Sequence, residues 1–212
     1  MTRFLVVLDV DSTLIEQEAI ELLADEAGAG AEVARITERA MAGELDFAAS
    51  LAERVALLAG LDEGCCARVA DRISLTPGAE QLIAGVHAAG GAAAVVSGGF
   101  HELLDPLAAR LRLDRHRANR LELDDGRFTG RTAGPVIDAG AKAHALREWA
   151  AELDVPMHRT VAVGDGANDL GMMAVAGLSI AFDAKPVVRA AADISLPQRD
   201  LSSVLAVLGL RG

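Results

Sequence analysis

The first apolar run of the chain, R-F-L-V-V-L from Arg3 to Leu8, ends on two aspartates one residue apart, Asp9 and Asp11, within D-V-D-S-T. Such a run reads as a buried strand of a parallel sheet. The carboxyl end of a buried strand is where open α/β sheets place their chemistry. A carboxylate there can attack phosphorus to give an aspartyl phosphate. A second carboxyl two residues on can protonate the leaving alkoxide and then deprotonate water. Asp9 and Asp11 suit those two roles, although alone the pair also fits a solvated acidic turn in which Ser12 and Thr13 cap a helix.

Three more segments carry matching chemistry: Ser97-Gly98-Gly99 after Val95-Val96, G-D-G-A-N-D from Gly164 to Asp169 after Val161-Ala162-Val163, and Lys142, opening a helix after Gly140-Ala141. In a parallel sheet these ends share one rim. Clustered carboxylates with room for water make an all-oxygen site of the kind Mg²⁺ prefers. Ser97, Lys142 and the N–H groups of the glycine turns supply donors for an anion. Together they describe a phosphoryl group held for displacement, with a metal offsetting repulsion between carboxylate and phosphate. Two competing motifs fail on spacing: Gly134 is not at the P-loop offset from Lys142 and no Ser or Thr follows it, while Gly164, Gly166 and Gly171 miss G-x-G-x-x-G.

The elements that must position these residues fall into two blocks. From Glu16 to Ile73 the pattern is helical and Ala/Leu-rich, broken at Gly28 to Gly30, near Gly43 and at Gly60, which predicts about four helices and no strand. After a turn and helix start at Thr76-Pro77-Gly78, short apolar runs (92–96, 160–163, 178–182) alternate with helical stretches (101–111, 142–153, 169–176, 186–191). Segments 119–123 and 127–131, joined through Asp124-Asp125-Gly126, read as a hairpin. The fold class is therefore α/β, a Rossmann-like parallel-sheet core with a helical insertion after its first strand. Residues 1–13 and 75–212 are expected to form the core, and 14–74 a cap placed to act as a lid.

Two charges stand out in that insertion. Arg54 falls on the stripe Phe47, Leu51, Arg54, Leu58, and Glu18 lies between Ile15 and Leu22, so each interrupts an apolar face. Each needs a partner if buried. They can pair with each other, or a zwitterionic amino acid can satisfy both.

The four motifs D-V-D-S-T-L, S-G-G, Lys142 and G-D-G-A-N-D stand in the order found in the haloacid dehalogenase superfamily of phosphatases, which the chain resembles over nearly its whole length. Within it, I-E-Q-E-A-I-E at Ile15 to Glu21, A-G-E-L-D-F with Arg54 after it, and G-P-V-I-D at Gly134 to Asp138 resemble the branch that hydrolyses O-phospho-L-serine, the last step of serine biosynthesis. The resemblance implies Asp9 as nucleophile, Asp11 as general acid/base, and Ser97, Gly98, Lys142 and Asn168 around the phosphate. It implies Mg²⁺ on Asp9, Asp165 and the Asp11 backbone carbonyl, with Asp169 in support. Glu18 and Arg54 would hold the amino and carboxyl groups of the substrate, and Met41 and Phe47 would line the cap side of the pocket. A relative acting on another small phosphomonoester, or transferring the phosphoryl group to an alcohol such as homoserine, shares these motifs. A receiver-like module that accepts phosphate on an aspartate without turnover is disfavoured by Asp11 and by the insertion.

Composition narrows the partners. With 212 residues, 51% of them apolar, the chain has surface enough to bury one sizeable core. A formal charge of −11 argues against a nucleic-acid surface, so any anionic ligand must meet positive charge supplied locally. No run approaches a membrane span or a signal peptide, and Cys65 and Cys66, neighbours in sequence, read as packing residues of a cytoplasmic protein. The first strand begins at once, so no preceding regulatory domain is expected. The five histidines lack ligand spacing and are expected at the surface or at caps. Nothing in the sequence separates a monomer from a homodimer.

Overall fold

A computed structural model describes residues 1–41 and 44–210. Ala42, Gly43 and the side chain of Met41 lie outside the described residues, and with them the break near Gly43 and the pocket-lining place expected of Met41. The chain opens with strand β1 (Leu5–Leu8) and a wide turn over Val10–Leu14. Helices α1 (Ala19–Glu26), α2 (Gly30–Met41), α3 (Phe47–Ala56) and α4 (Cys65–Ala70) follow. The remainder alternates: α5 (Ala79–Ala88), β2 (Ala92–Phe100), α6 (His101–Leu111), β3 (Arg115–Asp124), β4 (Arg127–Ala133), α7 (Ala139–Glu152), β5 (Thr160–Gly164), α8 (Leu170–Met173), β6 (Leu178–Phe182), α9 (Pro186–Ala191), β7 (Ile194–Leu196) and α10 (Ser203–Val207).

The seven strands form one sheet in the order β4-β3-β2-β1-β5-β6-β7, with β4 alone antiparallel to its neighbour. β1 is central, paired in parallel with β2 (Leu8↔Val95) and with β5 (Leu8↔Val163). Its side chains alternate between two cores. Val6 and Leu8 meet Leu82 and Val86 of α5, Leu104 of α6 and Val204 of α10, while Leu5 and Val7 meet Leu146 and Trp149 of α7 and Met172 of α8. Burying each such Val or Leu contributes about 1.5–3 kcal/mol, and all four β1 residues are fully buried. The strand that ends on Asp9 is thus held from both faces.

The helical insertion leaves and re-enters through a narrow neck. Glu16 N–H donates to the Ser74 carbonyl at 3.0 Å, Thr76 N–H donates to the Leu14 carbonyl at 3.0 Å, and Ile15 bridges to Leu75. The four helices enclose Leu23, Val33, Leu51, Val55 and Val69, and the same cluster takes in Phe100, Leu103, Leu121 and Phe128. Backbone bonds pin the insertion to the β3–β4 hairpin: Gly60 N–H donates to the Phe128 carbonyl at 2.8 Å and Phe128 N–H to the Leu61 carbonyl at 2.9 Å. Asp125 (φ 47°) and Gly126 (φ 72°) make the hairpin turn, as the Asp-Gly pair requires.

Several boundaries depart from the sequence reading. β2 runs on through Ser97-Gly98-Gly99 to Phe100, with its register to β3 shifting between Val96 and Phe100. α7 starts at Ala139, because the Asp138 side chain accepts the Ala141 N–H at 2.8 Å and caps it, so Lys142 lies inside the first turns. Glu18 sits at the N-cap of α1 rather than on its face, and Leu58 lies beyond the end of α3. The helix expected over 169–176 divides into a 3₁₀ turn at Ala167–Asp169 and α8. β7 and α10, of three and five residues, are too short for periodicity to reveal. Among the described residues no helix is long and apolar enough to cross a membrane.

Candidate active site

The carboxyl ends of β1, β2 and β5 meet at one rim, and the sequence-predicted polar residues gather there. Asp9 follows β1 and is tied down by its own backbone, whose N–H donates to the Val163 carbonyl of β5 at 2.9 Å. Its Oδ1 accepts the Val10 N–H at 2.7 Å and lies 2.7 Å from Lys142 Nζ. The same ammonium donates to Asp169 Oδ1 at 2.8 Å. Asp9 is 4%, Lys142 0% and Asp169 0% exposed, so this is a buried acid–base–acid bridge. Burial alone would lower the Lys142 pKa, but the two carboxylates outweigh it and raise it on balance, keeping the ammonium charged. Burial, then Asp169, push Asp9 well above the usual carboxylate range despite Lys142. Gly164 is required here, because a Cβ on it would stand 2.2 Å from Asp169 Oδ2.

Asp165 stands beside this bridge, held by a hydrogen bond from Thr13 Oγ1 to its Oδ1 at 3.0 Å. Its pKa is raised by burial and by Asp169. Carboxylate oxygens of Asp9, Asp165 and Asp169 all lie within 4.8 Å of one another. Three carboxylates crowded this way, two of them with raised pKa values and one lysine between them, carry excess negative charge that a hard divalent cation would neutralise. The donor set fits such an ion. The side chain of Asp11 is not in this group.

Asp11 points elsewhere. Its Oδ1 accepts the Ala19 N–H at 2.7 Å and its Oδ2 accepts the Ser97 hydroxyl at 2.9 Å, while Ser97 Oγ in turn accepts the Gly99 N–H at 2.7 Å. Burial, then the nearby charge of Glu18, raise its pKa. Two neighbouring aspartates therefore differ in environment: one faces a lysine and other carboxylates, the other a hydroxyl, an amide and a glutamate. The turn that carries Asp11 continues through Ser12 at φ 56°, and the Ser12 hydroxyl donates to Glu18 Oε1 at 2.6 Å.

A cavity of about 120 Å³ opens over these groups, lined on the sheet side by Asp9, Asp11, Gly98, Asp165 and Asn168 and on the helical side by Glu18, Phe47, Leu51 and Arg54. That is several times the ~30 Å³ share of one water and far below the ~300–1,000 Å³ of pockets for drug-sized ligands, so the space suits a small molecule. Phe47 closes over Gly98, where a Cβ would stand 2.9 Å from its ring. Ser97, Lys142 and Asp169 lie behind the cavity wall rather than in it. Arg54 Nε donates to the Ser50 carbonyl at 3.2 Å, and among the described residues Arg54 has no ion-pair partner within 4.0 Å. Burial lowers its pKa against the pull of Glu18, Asp11 and Glu21. The Glu18–Arg54 pair that would have satisfied both charges internally is not formed.

Sequence reasoning missed Thr13, although it stands in D-V-D-S-T, and Lys185, which lines the cavity and whose N–H donates to the Asp165 carbonyl at 3.1 Å. It also missed that His101, Asp105 and His116 gather in space. His101 Nδ1 lies 2.7 Å and His116 Nε2 2.9 Å from Asp105 Oδ1, while His101 Nε2 accepts the Ala118 N–H at 3.2 Å. That amide fixes the His101 proton on Nδ1, directed at Asp105, so the trio closes on itself as hydrogen bonds instead of offering Nδ1 to a metal. Cys65 and Cys66 are free thiols in the insertion, and burial with the neighbouring Cys65 pushes Cys66 up to about 12, the behaviour of inert packing residues.

A parallel sheet covered on both faces, with paired aspartates after its central strand and a helical insertion over that strand's end, is the architecture of haloacid dehalogenase-type proteins. The chain belongs to the haloacid dehalogenase-like hydrolase family, whose model matches residues 6–174. Curated relatives that it matches are named phosphoserine phosphatase. It is 52% identical over 209 residues to phosphoserine phosphatase SerB2 of Mycobacterium tuberculosis, covering 99% of this chain and 51% of that protein. It is 48% identical over 204 residues to phosphoserine phosphatase of Streptococcus thermophilus, covering 96% and 95%. Similar folds include a phospho-aspartyl intermediate analogue of phosphoserine phosphatase (TM-score 0.91, 42% identity, 98% of this chain and 99% of that chain) and a substrate-bound phosphoserine phosphatase complex (TM-score 0.92, 42%, 98% and 99%). The chain spans about half the length of the first curated relatives it matches.

Proposed function

We propose that this protein hydrolyses O-phospho-L-serine to L-serine and phosphate through a phosphorylated Asp9. The observation that carries the substrate choice is the cavity's two walls: Asp9, Asp11 and Asp165 on one side with the buried Lys142 behind them, and on the other Glu18 facing with an Arg54 that has no ion-pair partner among the described residues. An amino group on Glu18 and a carboxylate on Arg54 would complete the charges the protein leaves unmatched. The relatives of both full and partial overlap are named for this substrate.

In the first step an Asp9 carboxylate oxygen bonds to phosphorus as the bond from phosphorus to the serine oxygen breaks, and Asp11 gives its proton to that oxygen. The raised pKa of Asp11 favours the protonated form this step needs. Ser97 can accept from Asp11 by turning its hydroxyl, since it is also anchored by the Gly99 N–H. In the second step Asp11, now a carboxylate, takes a proton from water as its oxygen bonds to phosphorus and the Asp9–phosphorus bond breaks. Lys142, Ser97, the Gly98 N–H and Asn168 hold the phosphoryl oxygens, and Lys142 keeps Asp9 aligned. A divalent cation, Mg²⁺ by the hardness of the donors, would be held by Asp9, Asp165 and the Asp11 carbonyl with Asp169 behind, and supplies charge neutralisation. Residues 14–74 act as the cap that selects substrate and excludes water, over a core of 1–13 and 75–212; the two-stranded neck at Ile15 and Leu75 supports that division. With free cysteines and no membrane-spanning helix among the described residues, a cytoplasmic setting is proposed.

Steady-state hydrolysis of phosphoserine, phosphothreonine and a non-amino phosphate, with Mg²⁺ and with chelator, tests the reading. Turnover should prefer phosphoserine and vanish with chelator, and Arg54→Ala should raise KM for phosphoserine with metal dependence intact. Appearance of phosphohomoserine in place of free phosphate would move the assignment to a phosphotransferase, and equal use of all three substrates would remove the amino-acid specificity.

A further inference from the structure

Asn119 is a buried polar side chain on β3, 2% exposed, with no part in the chemistry above. Its amide joins the two segments that carry the phosphate-facing groups. Nδ2 donates to the Gly98 carbonyl at 2.8 Å, in the stretch that holds Ser97, and Oδ1 accepts the Ile137 N–H at 2.8 Å, one residue before the Asp138 cap of the helix bearing Lys142.

The need for this bridge follows from the sheet. Between the pairs Val96↔Arg117 and Phe100↔Asn119, β2 advances four residues (96 to 100) while β3 advances two (117 to 119). The bulge brings Gly98 and Gly99 to the cavity, with Ser97 just behind its wall, but it takes their peptide groups out of the ladder. Buried peptide groups need other partners. Asn119 satisfies the Gly98 carbonyl and His101 Nε2 accepts the Ala118 N–H, so both strands are re-joined by side chains at the bulge. The buried Ile137, between β4 and α7, finds its acceptor in the same amide. Only a side chain with one donor and one acceptor at this spacing serves both.

We propose that Asn119 is a positioning residue for the phosphate-holding half of the site, setting the Ser97–Gly99 bulge against the Ile137–Lys142 segment. The proposal rests on the phosphatase reading given above. A misplacement of about 1 Å in such a site can cost about 10²-fold in rate. Glu18 and Arg54, on other elements, are not held by this amide, so the serine-facing wall should be untouched.

The test compares wild type with Asn119→Asp, which keeps the acceptor and volume but loses the donor, and Asn119→Leu, which loses both. Thermal unfolding, kcat and KM for phosphoserine, and inhibition constants for orthophosphate and for L-serine are measured. Positioning predicts an orthophosphate inhibition constant raised about tenfold or more and kcat lowered about 10- to 100-fold, with the L-serine constant at its wild-type value. If Asn119 serves folding alone, the unfolding temperature and active fraction fall while both inhibition constants stay unchanged, and the proposal is overturned. Equal weakening of both inhibitors overturns it too. Should Asn119→Leu not fold, the near-isosteric Asp variant decides. A wild type that leaves phosphoserine intact removes the function and this role together; an active wild type with unchanged orthophosphate inhibition in the variant removes only the role of Asn119.

Discussion

At the scale of single residues, the division of labour proposed for Asp9 and Asp11 rests on their differing neighbours. Glu18 is the largest charge acting to raise Asp11 after burial itself. If Asp11 donates its proton in the first step, the alkaline limb of kcat/KM follows its ionisation. Removing the Glu18 charge lowers the pKa of that acid, so Glu18→Gln should move the alkaline limb to lower pH, measured on a substrate without an amino group so that lost binding does not obscure the shift. A limb that stays in place would dissociate Asp11 from the proton transfer. Asp165 offers a second handle. Its pKa is raised in the folded chain by burial and by Asp169, so its contribution to stability is present below the unfolded pKa and lost as pH rises through the folded one. Asp165→Asn should therefore raise the unfolding temperature in chelator near neutral pH by on the order of 2–4 °C, the shift that about 1 kcal/mol produces in a chain of this size, and erase stabilisation by Mg²⁺. The acidic residues of the site were legible because aspartates at strand ends are chemically unusual in sequence. Thr13, Lys185 and Asn119 were not, since a threonine, an exposed lysine and a buried asparagine acquire meaning only from the partner each meets across the fold.

At the scale of elements, the insertion is fastened to the core at two places, the neck at Ile15 and Leu75 and the β3–β4 hairpin. Phe128 stands at the second, 2% exposed within the cluster of insertion residues. Phe128→Ala should destabilise the protein by about 3–5 kcal/mol, read from denaturant unfolding, and raise KM through a less well-seated cap. A loss confined to kcat would instead place the hairpin's influence on the chemistry. Strands β1, β5 and β6 were readable because burial on both faces leaves unbroken apolar runs. β2 was read short because Ser97-Gly98-Gly99 carries turn residues yet stays extended through a bulge, and α7 was read short because Gly140 masks the cap at Asp138. Glu18 was placed on a helix face because its apolar neighbours repeat at helical spacing, whereas Ile15 belongs to the neck and only Leu22 to α1.

At the scale of the whole molecule, a chain of net charge −11 gathers carboxylates at one rim and sets Lys142, Lys185 and Arg54 against them. Folding such a site without a cation is costly, so cation binding and stability must be linked. Mg²⁺ should raise the unfolding free energy with concentration, by about 2.7 kcal/mol at one hundred times its dissociation constant. An unfolding temperature indifferent to Mg²⁺ would argue that Lys142 alone neutralises the cluster. The central claim is the covalent phosphorylation of Asp9, and its most direct measurement is acid quenching of the protein during turnover of phosphoserine, followed by peptide mass mapping. The expected result is one added phosphoryl group on the peptide containing Asp9, absent from Asp9→Asn. Phosphate release with no phosphorylated protein at any quench time, or a phosphoryl group on another residue, would contradict it.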